Sequence, residues 1–495
     1  MPGFYVENFG CRATQADGAA LERQFEEQGL DRASSAAQAS VVVLNTCTVT
    51  TGADQDARAA IRRVRRQNPD ARIVVTGCYA QRAPEEIAAL PGVSIVIGNS
   101  HKHQLAEIAL RTETSSSNEG FIPIGNLGDQ STTDDERPIF VSDIFAHTEL
   151  LAAPVFDAAN ERTRPNLKIQ DGCDNRCSFC VIPYVRGQSR SLTRERILHE
   201  VNTLVSAGYR EVVISGINLG RWGRDLHPTS IPVGTAAVGS EMADVEKAAL
   251  SPNTTHVGTA APGCPGERSS PICLSDLICA ILSETALEKL RISSVEPMDW
   301  SDDLIRLVAS SPRIAKHAHV PMQSGSDAVL RRMHRKYRPW HYREKIEKIR
   351  AAMPTAAIGA DVMVGFPGET DSEFEATRQM IEDLPFTYLH VFTYSARPGT
   401  PAAEMQNQVP VHIARERNRI LRELASEKKL AFMRSFIGKR VEAITLNVIG
   451  NDAEGEFTEA LTDNYLKLRL RGRHEPNHWQ CATVRDVVSG SLAGD

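Results

Sequence analysis

Near the N-terminus three apolar, β-branched runs each stop at a cysteine: "FYVENFGC", "ASVVVLNTC" and "ARIVVTGC". Parallel sheets bury runs of this kind on both faces. Between them, "ADGAALERQFEEQGL" and "DQDARAAIRRVRRQNP" carry helical periodicity, the second stopped by Pro69. This βαβαβ order predicts an open α/β sheet, whose strand C-termini share the edge where ligands bind. Cys11, Cys47 and Cys78 can therefore meet at one point, although 36 and 31 positions separate them.

A second α/β series follows a polar stretch. Six strands are predicted near 166–172, 211–217, 290–296, 316–322, 358–365 and 388–394, most with a helix behind them. Six such units suggest a curved partial barrel with function at the strand C-termini. The pattern divides the 495-residue chain into an α/β domain (1–112), a linker (113–158) and a barrel (159–405). A charged helical connector (406–434) and a small all-β module (435–490) complete it. Residues 227–271 are rich in Pro, Gly, Ser, Thr and Ala and read as a disordered insert within the barrel. No apolar run is long enough to span a bilayer, and "MPGFYVENFG" lacks the basic-then-apolar start of a secretion signal. The chain reads as cytoplasmic, with no membrane partner, where thiols stay reduced. Its net charge of -6 means that any RNA must bind through local basic patches.

The ten cysteines sort by position. Cys11, Cys47 and Cys78 end strands. Cys173 ends the first barrel strand, with Cys177 and Cys180 in the loop beyond it, spaced C-x3-C-x2-C. Neither trio has a fourth cysteine or a histidine nearby. Structural zinc normally closes with four protein ligands, whereas an iron–sulfur cluster can hold three cysteines and leave one iron open. Small buried hydrophobes are the other reading of the strand-end cysteines. Cys264, Cys273, Cys279 and Cys481 are read as structural.

The block "LKIQDGCDNRCSFCVIPYVRG" resembles the radical S-adenosylmethionine enzymes. A second N-terminal trio and a C-terminal β-module narrow the resemblance to the methylthiotransferases. "NTCTVT", "IRRVRRQNP" and "VVTGCYAQ" are similar to the branch acting on threonylcarbamoyl-adenosine in tRNA. "SGINLGRWGRDL", "VPMQSGSDAVLRRM", "DVMVGFPGET" and "YSARPGT" extend the likeness in family order, so that it covers about residues 4–105, 160–226 and 272–485. Thr14 and Ala19 depart from the family's N-terminal block, and the insert is no part of its pattern.

The resemblance implies an N-terminal open parallel α/β sheet, a partial (βα)6 TIM-like barrel and a TRAM-like RNA-binding module. It implies two [4Fe–4S] clusters and S-adenosylmethionine. Cys173, Cys177 and Cys180 would hold the cluster whose fourth iron takes the cosubstrate and generates a 5′-deoxyadenosyl radical. Cys11, Cys47 and Cys78 would hold an auxiliary cluster carrying the sulfur to be donated. Phe179 would pack on the adenine of the cosubstrate, or else be a core aromatic. Ser215, Gly216, Asn218, Glu296, Gln323 and Gly365, at strand ends, are further candidate cosubstrate contacts. The product would be 2-methylthio-threonylcarbamoyl-adenosine at tRNA position 37. Alternatives are isopentenyl-adenosine in tRNA, a ribosomal-protein aspartate, or a metal-stabilised RNA-binding protein. Partners would be tRNA, a flavodoxin-like or equivalent reductant, and a sulfur donor that the sequence does not identify.

RNA binding has two candidate surfaces. "YLKLRLRGR" alternates strictly, so Lys467, Arg469, Arg471 and Arg473 fall on one strand face and leucines on the other. That face reads as a phosphate-binding stripe or a solvated edge. Arg58, Arg62, Arg63, Arg65, Arg66 and Arg72 form a second basic cluster, or a solvated helix face. Lengthening a flexible loop costs little, so deletion of residues 230–268 should leave melting and activity unchanged. A collapse of either would give the insert a structural or gating role.

Overall fold

The computed structural model describes residues 3–111, 137–147, 150, 164–226, 273–452 and 455–495. The expected insert, Cys264 and most of the expected linker lie outside these residues.

The N-terminal sheet is parallel, in the order β2-β1-β3-β4-β5-β6. Its strands are β1 (Gly3–Asn8), β2 (Asp31–Arg32), β3 (Val41–Thr46), β4 (Arg72–Gly77), β5 (Val93–Gly98) and β6 (Ile139–Phe140). β3 is buried throughout, as its composition requires. The helix Arg12–Glu27 covers one face with Leu21 and Phe25. The helix Thr51–Gln67 covers the other with Ala57, Ile61 and Val64, and the Thr50 hydroxyl caps it by accepting from the Ala53 N–H at 3.2 Å. β6 corrects the expected linker boundary. The Arg137 guanidinium donates to the Leu90 carbonyl at 2.6 Å and the Val96 N–H to the Pro138 carbonyl at 3.1 Å, so the chain joins the sheet edge there.

All six expected barrel strands are present: β7 (Asn166–Asp171), β9 (Glu211–Gly216), β10 (Lys289–Ile292), β11 (His317–His319), β12 (Ala357–Val364) and β13 (Tyr388–Thr393), with a short antiparallel edge β8 (Arg190–Ser191). They run as β10-β9-β7 and β11-β12-β13, and parallel bridges Leu290–Ile314 and Ser294–His319 join the two sets into one curved sheet. A single apolar core lies between this sheet and its helices, including Leu421 of the helix Val411–Arg434. The last strands, β14 (Arg440–Asp452), β15 (Gly455–Thr462), β16 (Lys467–Arg471), β17 (Trp479–Val488) and β18 (Ser491–Gly494), close a five-stranded barrel. Among the described residues, no helix is long and apolar enough to cross a membrane.

The N-terminal sheet and the large barrel are locked by buried charge. Asp17 meets Lys102 at 3.1 Å and Arg186 at 2.9 Å, and also pairs with Lys168. Asp171 meets Lys168 and Arg186, both at 2.9 Å. All five side chains are at most 8% exposed. Burial alone would push both carboxyls up. The cations outweigh it: Arg186 foremost, with Lys168 at both acids and Lys102 at Asp17, hold both well below their ordinary values. Removing one partner of such a set strands buried charge, at a cost of about 3–5 kcal/mol. Asp17→Ala should therefore lower stability to urea by about that amount. Both carboxyls titrate below their unfolded value of about 3.9. The hub's contribution is thus complete above that pH and is lost as pH falls through the lower folded values, so the wild type should lose more stability in acid than Asp17→Ala does. Equal acid sensitivity would count against the hub.

Candidate functional site

Each cysteine of the first trio sits where a parallel strand gives way to a helix or turn. Cys11 caps the helix Arg12–Glu27, Cys47 follows β3, and Cys78 opens the short helix Cys78–Arg82. The strands involved, β1, β3 and β4, are neighbours, so the three do converge. Gly10, at φ +99°, passes so close to Cys47 that an added Cβ would lie 2.9 Å from its sulfur. Cys47 and Cys78 are buried and Cys11 is exposed. Burial and then the neighbouring Cys78 push the Cys47 thiol up to about 12. The Thr14 hydroxyl lies 3.6 Å from the Cys11 sulfur, and the Asn99 amide 3.6 Å from that of Cys78.

The second trio follows β7. The chain turns at Gly172, φ +70°, against the Gln188 carbonyl, where a Cβ would meet oxygen at 1.9 Å. Cys173 receives the Asn175 N–H at 3.4 Å and the Asn218 amide at 3.6 Å. Cys177 receives the Arg335 guanidinium at 3.3 Å. Burial, then the Cys177 charge, push the Cys180 thiol up to about 12. Among the described residues, His319, Asp361 and His390 alone bring three ligand atoms within 4.8 Å of one another; neither cysteine trio does.

The other predicted positions divide. The Ser215 hydroxyl and the Asn218 carbonyl oxygen are buried without a hydrogen-bond partner, beside Cys173 in the case of Asn218. A polar cosubstrate would satisfy both. Glu296 is paired with Arg335, and with Cys177 and Tyr337 they line a small cleft. Gln323 adopts φ +61° and bridges to β12 through its backbone. Gly365, at φ +75°, donates its N–H to Glu369, and a Cβ there would meet Ala414 at 2.5 Å. Gly216 packs on Gln170 in the same way. Phe179 is half-buried, edge-on to Phe366 at 6.4 Å in an apolar cluster.

The two trios share a joint. Cys78 packs in one apolar cluster with Val181 and Val185, just past Cys180 in the chain. The Asn99 amide also donates to the Val185 carbonyl at 2.7 Å. Sequence reasoning missed Arg186, Arg335 and Asn99. Arg186 had a signal, as a cation inside the apolar "CVIPYVRG"; Asn99 and Arg335 act across long sequence gaps and had none.

The stripe at 467–473 is not an unopposed cationic face. Its burial alternates as expected, but Lys467 pairs with Glu459, Arg469 and Arg471 with Asp452, and Arg473 with Glu456. The acids come from β14 and β15, where the strand's own sequence could not show them. In the second cluster Arg58 pairs with Glu86 and Arg63 with Glu7, while Arg62 and Arg66 are exposed.

Two family models match the chain: the uncharacterized protein family UPF0004 over residues 3–98 and the radical SAM superfamily over 167–219 and 269–381. The chain is 35% identical to the threonylcarbamoyladenosine tRNA methylthiotransferase MtaB of Bacillus subtilis, over 94% of this chain and 90% of that one. It is 31% identical to the tRNA-2-methylthio-N(6)-dimethylallyladenosine synthase of Novosphingobium aromaticivorans, over 89% and 86%. The fold is similar to that of the radical S-adenosylmethionine methyltransferase TsrM of Kitasatospora setae, with TM-score 0.52 at 13% identity over 81% and 77%.

In metal-free protein, iodoacetamide at pH 8 should label Cys11 well before Cys47 or Cys180, because the thiolate is the reactive form. Mass spectrometry of the digested protein reads the order; equal rates would contradict the raised thiols of Cys47 and Cys180.

Proposed function

The chain belongs to the radical S-adenosylmethionine methylthiotransferases, and on that premise we propose that it adds a methylthio group to carbon 2 of threonylcarbamoyl-adenosine in tRNA. The observation that carries this reading is the contact of Cys78, from the first trio, with Val181 and Val185, which follow Cys180 of the second in the chain. Radical formation alone needs one trio; placing sulfur on carbon needs a second site beside it.

Cys173, Cys177 and Cys180 would hold the cluster that binds S-adenosylmethionine, and Cys11, Cys47 and Cys78 a second one bearing sulfur. When bound, the first cluster and its cosubstrate supply hydrogen-atom abstraction from carbon. The protein's part is to position and to exclude water. Asn218 directs its amide to Cys173 and leaves its carbonyl oxygen for the cosubstrate, with the Ser215 hydroxyl beside it. Arg335 steadies Cys177 and is itself held by Glu296. Val181 and Val185 cover Cys78 from the barrel side. Arg186, buried at the joint, sets a positive charge near Cys78 and Cys11, which suits an anionic thiolate cluster. Position 37 as the target, a flavodoxin-like reductant and a cytoplasmic location accompany this reading.

Nucleoside analysis of tRNA from a strain lacking this chain tests it. The methylthio form of threonylcarbamoyl-adenosine should vanish and return on complementation; loss of the isopentenyl form instead would reassign the target. Anaerobic reconstitution should yield about eight iron atoms, and Cys173→Ala, Cys177→Ala and Cys180→Ala together about half. Cys47→Ala should still cleave S-adenosylmethionine to 5′-deoxyadenosine but make no methylthiolated nucleoside. Loss of both activities in a folded Cys47→Ala protein would argue against separate roles for the trios.

A further inference from the structure

The inner face of β11, β12 and β13 carries a row of polar side chains. Residues two apart on a strand share a face, and the register sets His319 beside Gly359 and Asp361 beside His390. Ala318, Ile358, Ala360, Val362, Leu389 and Val391 take the other face and pack on the core. The inner face is open, since His390 and Phe392 are exposed within a strand. The His317 Nε2 lies 2.7 Å from the Tyr388 hydroxyl, and the rings of His319 and His390 are 5.7 Å apart. The His319 Nε2 stands 3.4 Å from Asp361 and has no hydrogen bond.

Arg12 reaches this row from the N-terminal domain. Its guanidinium donates to the Tyr465 hydroxyl at 2.8 Å, and the Tyr465 ring lies 5.0 Å from that of His317. No carboxylate pairs with Arg12 among the described residues. Its charge bears on His317, Tyr388 and His390. In the chain it is the neighbour of Cys11. A cation with no carboxylate partner among the described residues, next to the first cysteine trio and facing an open polar lumen, is suited to an anion.

We propose that Arg12 receives the carboxylate of the amino-acid side chain on N6 of the target adenine, while Asp361 accepts from its N–H and O–H groups. The proposal rests on the threonylcarbamoyl reading above. A guanidinium fork matches a carboxylate in two parallel hydrogen bonds. Asp361 is the acid of the row and repels a carboxylate, which places the anion at the Arg12 end. His319, Asp361 and His390 also have the spacing of a single-ion site, but the charge of Arg12 works against a divalent cation there. An apolar isopentenyl group would leave these polar atoms without partners, the circumstance in which sites discriminate most strongly.

The test uses the cluster-loaded enzyme and two stem–loop RNAs. One carries threonylcarbamoyl-adenosine, the other the same nucleoside with its carboxylate converted to the neutral amide. The wild type should prefer the acid by roughly 10- to 100-fold in kcat/KM, the range of a hydrogen-bonded charge. Arg12→Gln should bring that preference close to one, and Arg12→Lys should keep most of it. A wild type indifferent to the change, or an Arg12→Gln enzyme that slows on both RNAs alike and keeps the preference, overturns the assignment of Arg12 and leaves the target reading standing. A wild type that modifies isopentenyl-adenosine and neither of these RNAs overturns the target reading, and this assignment with it.

Discussion

Five buried charges hold this molecule in its working arrangement. Asp17 and Asp171 sit among Lys102, Lys168 and Arg186, at the seam between the N-terminal sheet and the large barrel. Three cations against two carboxylates leave an excess positive charge, buried beside two cysteines of the first trio. Hydrophobic contact is non-directional and could join the domains in several orientations. Buried ion pairs tolerate few, because each misplaced partner leaves a desolvated charge uncompensated. A second set, Arg397 and Arg82 on Asp54 with the Thr48 hydroxyl, repeats the device at the next loop.

The joint ties the two cysteine trios together: Cys78 packs on Val181 and Val185, in the stretch just past Cys180. The surroundings differ in kind. Each has a side-chain amide on one sulfur, but the first trio has the cationic hub behind it, and the second has a guanidinium hydrogen bond on Cys177. Charge and hydrogen bonding at sulfur are two of the means by which a protein tunes an iron–sulfur centre.

Much of this was legible in the sequence. The buried runs placed the strands of both sheets, and the strand-end rule brought Cys11, Cys47 and Cys78 together from distant positions. The C-x3-C-x2-C loop needed no structure to be noticed. What escaped is what depends on tertiary proximity. Nothing local to "LKIQDGC" says that Lys168 will meet Asp17, and nothing in "HRKY" says that Arg335 will reach Cys177. The basic stripe was legible as a pattern, but its acids lie on neighbouring strands that only the register brings opposite. β6 was hidden because two residues of strand in a polar stretch give no periodicity.

The charge hub also imposes an order in time. A chain emerges from the ribosome N-terminus first, and its domains fold as they appear. Asp17 and Lys102 can pair within the first sheet before the barrel has been made, and as a neutral pair they can be buried alone. Lys168, Asp171 and Arg186 arrive together as a group with one net positive charge, so the barrel is drawn to a half-finished site rather than to a blank face. Until it docks, Cys78 lacks its cover of Val181 and Val185. There is thus an interval during synthesis when the first trio lies open on the barrel side, and the closing of the seam ends it.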